Sequence, residues 1–95
     1  MILSFANSPI KTERFWEGFR SRRLPDAIQK RTLDKLKLLN RAKTIDDLRN
    51  PPANHLEALK RDRSGQHSIR INDQWRICFR FKDGNAYDVE ITDYH

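Results

Sequence analysis

The chain begins with apolar residues at helical spacing and ends with apolar residues at strand spacing. In the first half, apolar stripes recur every three to four residues, which predicts a helix from about Pro25–Asp26 to about Asn40. A shorter helix is predicted before it, with Ser8 as N-cap and Pro9 at the first helical position, running to about Gly18. The apolar positions of the two stripes are Ile10, Phe15, Trp16 and Phe19, then Ile28, Leu33, Leu36 and Leu39.

The pattern changes to strict alternation in the second half of the chain. Residues 2–6 already alternate and are a candidate short first strand, Thr44 and Asp47 resemble a capping box for a short turn, and residues 50–54 predict a loop. From residue 55 onward, period-two alternation predicts three consecutive antiparallel strands, each with one buried face. Their apolar positions are Ile69 and Ile71, then Ile77, Phe79 and Phe81, then Tyr87, Val89 and Ile91.

Strand register follows from this alternation, because a slip of one residue exchanges the core and solvent faces. For the last hairpin, a two-residue turn at Asp83-Gly84 mixes the faces, whereas a three-residue turn that includes Asn85 keeps them separate. The pairs predicted by the longer turn are Phe81 with Tyr87, Phe79 with Val89, and Ile77 with Ile91.

The same test applied to the preceding hairpin places Arg70 directly opposite Arg76. Two facing arginines repel by about 0.2–1 kcal/mol unless an anion lies between them. Glu90 is one candidate for that anion. A bound phosphate is the other, since paired guanidinium groups match phosphate oxygens.

The length indicates one small domain, residues 1–95, and the order of the predicted elements indicates the α+β class, with N-terminal helices followed by a small antiparallel sheet. The 95 residues carry a net charge of +6, and all 19 Lys and Arg precede residue 83. Such a charge favours a polyanionic partner, above all nucleic acid, over a merely solvated basic surface. The single cysteine, Cys78, leaves no internal disulfide framework, and no apolar run is long enough for a membrane span. A cytoplasmic protein with no membrane association is expected.

The final residues Asp93, Tyr94 and His95 place proton-transfer groups beside this positive charge. Imidazole titrates near working pH, arginines stabilise a phosphorane, and together they suit cleavage of RNA by its own 2′-hydroxyl. A frayed terminus without a role is the alternative. No zinc spacing or glycine-rich phosphate loop is present, so metal-free chemistry without a cofactor is predicted.

Three other residues have two interpretations each. Glu57 is surrounded in sequence by basic residues, so it is either a salt-bridge partner or a general base. His67 shares the parity of the buried isoleucines and is expected at the edge of the core, the alternative being a catalytic residue. His55 is expected on the surface, although it starts the late strands and is placed to reach the arginines.

A family resemblance rests on two long segments. Residues 54–79, NHLEALKRDRSGQHSIRINDQWRICF, and residues 87–95, YDVEITDYH, closely resemble the HigB toxins, the plasmid-maintenance killer proteins of the RelE superfamily. The resemblance implies a RelE-like toxin fold and a toxin that cuts mRNA on the translating ribosome. It also implies a HigA-type antitoxin with a helix-turn-helix DNA-binding region, through which alone the toxin reaches operator DNA.

The resemblance also implies roles for individual positions. Arg76, Asp93, Tyr94 and His95 match positions important for cleavage in such toxins, and Lys60 matches a basic position of the motif. Some relatives have a catalytic histidine where Glu57 stands, and others in the superfamily have glutamate. Arg61 replaces the glycine that is common before Asp62-Arg63.

The leading hypothesis is therefore a ribosome-dependent endoribonuclease. Its predicted catalytic residues are Arg70 and Arg76 on the scissile phosphate, Tyr94 and His95 for proton transfer, Asp93, and Glu57 as a possible base. The predicted RNA contacts are Lys60, Arg61, Arg63, Lys30 and Lys37. The alternative is a basic module without catalysis that blocks translation by occupancy.

Overall fold

The computed structural model describes residues 1–93, and the predicted proton-transfer residues Tyr94 and His95 lie outside this range. Across the described residues two α-helices precede a four-stranded antiparallel sheet, with three short 3₁₀ turns in the connections. The helices are α1, Thr12–Trp16, and α2, Asp26–Arg41. The strands, in sheet order, are β1, Glu57–Ala58; β2, His67–Arg70; β3, Trp75–Lys82; and β4, Asn85–Asp93. The α+β class is confirmed, with one more short strand, β1, than the three late strands predicted.

Helix α2 covers one face of the sheet and closes the core. Its bounds agree with the prediction to within a residue or two, because the apolar stripe and the sheet select the same face of the helix. Leu36 and Leu39 are fully buried in one cluster with Ile69 and Ile77 of the sheet. Burying one such side chain contributes about 1.5–3 kcal/mol. Within residues 1–93, neither helix has the length and apolarity that a bilayer crossing requires.

Helix α1 starts later and ends earlier than predicted. Lys11 has a left-handed conformation (φ 59°), and its N–H binds the Ser8 carbonyl at 3.1 Å, so residues 8–11 form a turn before the first helical residue, Thr12. The chain leaves the helix after Trp16, and the predicted stripe residue Phe19 is 55% exposed. The prediction was wrong here because apolar spacing alone does not reveal a positive φ at the helix entry.

The N-terminal segment lies along the outer edge of β4 and does not form the predicted strand. Two isolated parallel bridges join Ile2 to Ala86 and Phe5 to Val89. Farther along the same edge, the Thr12 hydroxyl accepts the Ile91 N–H at 3.0 Å in a buried position. The beginning of the chain therefore holds the strand that ends at Asp93.

The β3–β4 hairpin combines a two-residue turn with a β-bulge, which corrects the predicted three-residue turn. Lys82 pairs with Asn85 across Asp83-Gly84, and Arg80 pairs with Tyr87. The register then shifts at Asp88 (φ 52°), so that Ile77 pairs with Ile91, as predicted, and Arg76 pairs with Thr92. The predicted pairs Phe81 with Tyr87 and Phe79 with Val89 are wrong, because Phe79 faces the bulge and Phe81 pairs with Ala86.

Two local predictions agree with the structure. The β2–β3 pairing sets Ile69 opposite Ile77 and Arg70 opposite Arg76. The Thr44–Asp47 capping box opens the 3₁₀ turn Ile45–Arg49. Backbone N–H groups of Lys43 and Thr44 donate to the Asp47 carboxylate at 2.9 and 3.1 Å, and these hydrogen bonds lower the pKa of that carboxyl group.

Candidate active site

The sheet face opposite α2 carries an open depression of polar residues. Alternation along β2, β3 and β4 places Ser68, Arg76 and Thr92 on this face, and Glu57 joins them because it pairs with Ser68 across β1 and β2. The depression has a volume of about 420 Å³. Its lining includes Glu57, Leu59, Arg63, Arg76, Cys78, Thr92 and Asp93.

The Arg76 guanidinium is held in this depression by contacts on two sides. Its side chain is only 12% exposed, and its Nη1 lies 3.0 Å from the Glu57 carboxylate. The same nitrogen donates a hydrogen bond to the hydroxyl of Ser68, a residue without solvent exposure. A guanidinium held on two sides keeps its position when an anion arrives, which is the preorganisation that electrostatic catalysis needs.

Of the two roles that its sequence context left open, Glu57 has that of a salt-bridge partner. It is the carboxylate partner of Arg76, and its own side chain remains 58% exposed at the mouth of the depression. An exposed carboxylate within hydrogen-bond distance of a cation can accept a proton from a bound hydroxyl while the cation holds the neighbouring phosphate.

Arg70 and Arg76 oppose each other in the sheet, but their side chains diverge. Arg70 forms an ion pair with Asp73, which is 90% exposed. It borders a different depression, together with Arg31, Lys35 and Arg41. There, partial burial and the charge of Arg31 lower the pKa of Lys35. A phosphate bound by both arginines therefore requires Arg70 to release Asp73. Breaking this ion pair costs little, because exposed ion pairs contribute about 0–1 kcal/mol.

Two further ion pairs lie on this face of the sheet. Glu90, which the sequence offered as a partner for Arg76, instead binds Arg63 at 3.2 Å. Arg80 lies 3.5 Å from Asp88 in the same way. The 3₁₀ turn Arg61–Arg63 thus folds over the sheet and brings Arg63 to the depression.

Asp93 closes the depression at the end of β4. Its carboxylate accepts a hydrogen bond from the Gln74 side chain at 2.8 Å. It lines the depression with Arg76, so the described part of the C-terminal motif lies where the sequence predicted. The next two residues of the motif, Tyr94 and His95, are outside the described residues.

The two histidines of the described chain lie where they were expected. His67 is partly buried, and its ring stacks on Phe79 with centroids 6.3 Å apart. His55 is exposed, with a left-handed backbone (φ 45°). Among the described lining residues neither histidine contributes to the depression.

The predicted RNA contacts divide into two groups. Lys60 and Arg61 are exposed beside Arg63 on the depression side, and Arg61 has a positive φ of 56°, which explains why glycine suits that position. Lys30 and Lys37 are exposed on α2, which packs against the opposite face of the sheet. Within residues 1–93 they are not brought together with Arg76.

Sequence reasoning missed the residues that support the site. Ser68, Cys78 and Thr92 share the polar face, and the Cys78 sulfur lies 3.5 Å from the Thr92 hydroxyl. Strand alternation puts these three residues on the same face as Arg76, so the strand register, once known, identifies them as neighbours of the site. In the described range no group of three or more His, Cys, Asp or Glu side chains is arranged to hold a metal ion.

A family model and two relatives identify one family, and a solved structure has a similar fold. Residues 3–95 match the family described as the RelE-like toxin of the type II toxin-antitoxin system HigB. Toxin HigB-1 of Vibrio cholerae is 40% identical over 80 residues, which cover 83% of this chain and 84% of that protein. Endoribonuclease HigB of Proteus vulgaris is 37% identical over the full length of both chains. The YoeB-YefM complex from Staphylococcus aureus contains a chain of similar fold, with a TM-score of 0.60 and 21% identity, covering 100% of this chain and 95% of that one.

Proposed function

Because the chain belongs to the HigB family of RelE-like toxins of type II toxin-antitoxin systems, we propose that it is an endoribonuclease that cuts translated mRNA on the ribosome. The observation that carries the proposal is the Glu57–Arg76 pair, a partly buried guanidinium 3.0 Å from an exposed carboxylate in an open depression. It supplies a charge for the phosphate and a proton acceptor beside it.

The reaction follows from the positions of these groups. Glu57 takes the proton of the ribose 2′-hydroxyl, whose oxygen forms a bond to the adjacent phosphorus. Arg76 stabilises the negative charge that develops on the phosphate oxygens. The bond from phosphorus to the 5′-oxygen then breaks, and that oxygen takes a proton from a general acid. The products are a 2′,3′-cyclic phosphate and a 5′-hydroxyl.

The general acid is assigned to the C-terminal motif on the basis of the sequence. Asp93 ends β4 inside the depression, and Tyr94 and His95 follow it directly in the chain. We assign the imidazole of His95 and the phenol of Tyr94 to proton transfer, and Arg70 to a second contact with the phosphate. Every bond change is supplied by side chains, so the proposed reaction proceeds in the presence of a metal chelator.

The ribosome supplies the orientation that this open site lacks. A shallow depression does not by itself hold a flexible strand with the 2′-hydroxyl in line with the leaving oxygen, and orientation is worth several orders of magnitude in rate. Lys60, Arg61 and Arg63 surround the depression and are assigned to RNA near the cut. Lys30 and Lys37 are assigned to ribosomal RNA on the other side of the molecule.

Control of the toxin is assigned to an antitoxin of the HigA type. The family consists of toxins of type II systems, in which a protein antitoxin neutralises the toxin. We propose that this antitoxin carries the helix-turn-helix DNA-binding region, that the toxin reaches operator DNA through it, and that both act in the cytoplasm.

The test compares the proposed site with a matched surface change in expressing cells. Primer extension on cellular mRNA is expected to show discrete new 5′ ends within codons for the wild type and for Arg49→Gln, an exposed arginine paired with Asp46. Glu57→Gln and Arg76→Ala are expected to remove those ends and relieve growth arrest. Growth arrest without new 5′ ends in the wild type would instead identify a module that blocks translation by occupancy.

A further inference from the structure

A groove continues from the candidate active site toward the connection between α1 and α2. The neighbouring depression, of about 560 Å³, shares Arg63, Thr92 and Asp93 with the candidate site. At its other end it shares Pro9, Ile10 and Arg23 with a third depression of about 220 Å³. The shared linings make the three depressions one path across the surface.

The far end of this path is rich in cations, and within residues 1–93 two of its arginines have no carboxylate partner. Residues 11–23 contain five Lys and Arg against two Glu. Of these five, Arg20 pairs with Asp26, whereas among residues 1–93 Arg22 and Arg23 form no ion pair. The arginines of the sheet face differ, since Arg63 and Arg80 each have a carboxylate partner. Unpaired, exposed guanidinium groups are available to phosphates without breaking an internal contact.

An exposed aromatic ring lies among these cations. Phe19 is 55% exposed, and the Arg14 guanidinium lies 4.4 Å from its ring centroid. An aromatic ring beside arginines is the combination on which single-stranded nucleic acids stack, because every base has a π face and every nucleotide a phosphate.

We propose that this groove binds the single strand of RNA that flanks the scissile phosphate, with Phe19 stacking on a base and Arg22 and Arg23 contacting phosphates. The inference rests on the proposed function for the identity of the strand, since the groove starts at the depression that holds Glu57 and Arg76. The middle of the groove combines apolar Pro9, Ile10 and Trp75 with Arg23 and Arg63, and Arg63 offsets the charge of Glu90 in the same lining, so this stretch suits sugars and bases.

An acidic peptide would also be attracted by the cations, but it gives Phe19 no base to stack on. The experiment therefore compares two anions by fluorescence anisotropy with the full-length protein. One probe is a labelled single-stranded 2′-O-methyl RNA of about 12 nucleotides, which cannot be cleaved through its 2′ position. The other is a labelled polyglutamate of similar charge.

The variants separate stacking, local charge and overall charge. Phe19→Ala is expected to weaken RNA binding roughly 5- to 100-fold and to leave polyglutamate binding within about twofold, whereas Phe19→Trp retains RNA affinity. The double variant Arg22→Gln/Arg23→Gln is expected to lower the salt dependence of RNA binding by about 1.4 in log–log slope. The matched control, Lys43→Gln/Lys82→Gln, removes two exposed lysines near the β3–β4 turn, at the other end of the sheet, and is expected to leave that slope unchanged.

The outcomes distinguish this inference from the proposed function. RNA affinity that is unchanged in Phe19→Ala and in Arg22→Gln/Arg23→Gln would overturn the proposal that the groove binds RNA, even if Glu57→Gln abolishes cleavage. Equal losses for RNA and polyglutamate in Phe19→Ala would overturn it as well, in favour of a protein partner. Because the RNA probe is not cleavable, the expected binding pattern would support the groove even if the wild type cleaves no message.

Discussion

Replacing Arg76 by alanine separates what its guanidinium does for the fold from what it does for cleavage. The substitution leaves the Ser68 hydroxyl buried without its donor, which costs about 1–3 kcal/mol. Glu57 is 58% exposed and is solvated by water after the change, so it adds little to that cost. For a domain of this size, the free energy lost corresponds to a fall in Tm of roughly 10 °C.

A second substitution repairs stability but not activity. In the Arg76→Ala background, Ser68→Ala removes the orphaned hydroxyl, so about 1 kcal/mol of the unfolding free energy is expected to return. Cleavage is expected to remain about 10²–10³-fold below the wild type, because the charge on the phosphate is still missing. Arg76→Lys retains the positive charge but loses the planar guanidinium with its several N–H donors, so intermediate activity is expected.

The assay pairs thermal unfolding with single-turnover cleavage of ribosome-bound message. The Ser68→Ala single variant, which keeps the guanidinium and its Glu57 partner, is the control and is expected to retain most activity. Recovery of cleavage in the double variant to near the wild-type rate would refute the reasoning, since it would make Arg76 a structural residue only.

Three further predictions concern the scaffold. Thr12→Val leaves the buried Ile91 N–H without its acceptor and is expected to cost about 1–3 kcal/mol in thermal unfolding, whereas Thr12→Ser retains the hydrogen bond. Arg61→Gly is expected to raise the stability by up to about 1 kcal/mol, because glycine adopts the positive φ of 56° without strain; a lower Tm would contradict this. The pKa of Asp47 is lowered in the folded state by hydrogen bonds from two backbone N–H groups. Its stabilising effect is present above the ordinary value of 3.8 and is lost as the pH falls through the folded pKa, so Asp47→Asn is expected to flatten the acid limb of a Tm-against-pH profile.

The sequence predicted the strand pairing beside the site because only one register keeps the apolar residues of β2 and β3 on one face. The opposition of Arg70 and Arg76 follows from that register alone. The contacts of the two guanidinium groups were not predictable in the same way, because the register fixes the position of each arginine in the strand but not the direction of its side chain. Arg70 binds Asp73 and Arg76 binds Glu57, and neither contact has a signal in the alternation.

The errors have local physical causes. The longer turn was predicted because an uninterrupted ladder was assumed, whereas a positive φ at Asp88 allows both a tight turn and a correctly phased core. Strand β1 has only two residues, too few to show the alternation by which strands are predicted, although it positions Glu57 at the site. Phe19 was assigned to the core by spacing, but α1 ends at Trp16 and leaves the ring exposed.

The chemistry of the cut ends tests the central claim most directly. Ribosome-bound message is cleaved in the presence of EDTA, once with ordinary RNA and once with a single 2′-deoxy nucleotide at the mapped cut. We expect 5′-hydroxyl ends and a 2′,3′-cyclic phosphate or its hydrolysis product from the ordinary message, and no cut at the deoxy position. Cleavage at the deoxy position, or 5′-phosphate ends, would contradict attack by the 2′-hydroxyl beside Glu57 and Arg76.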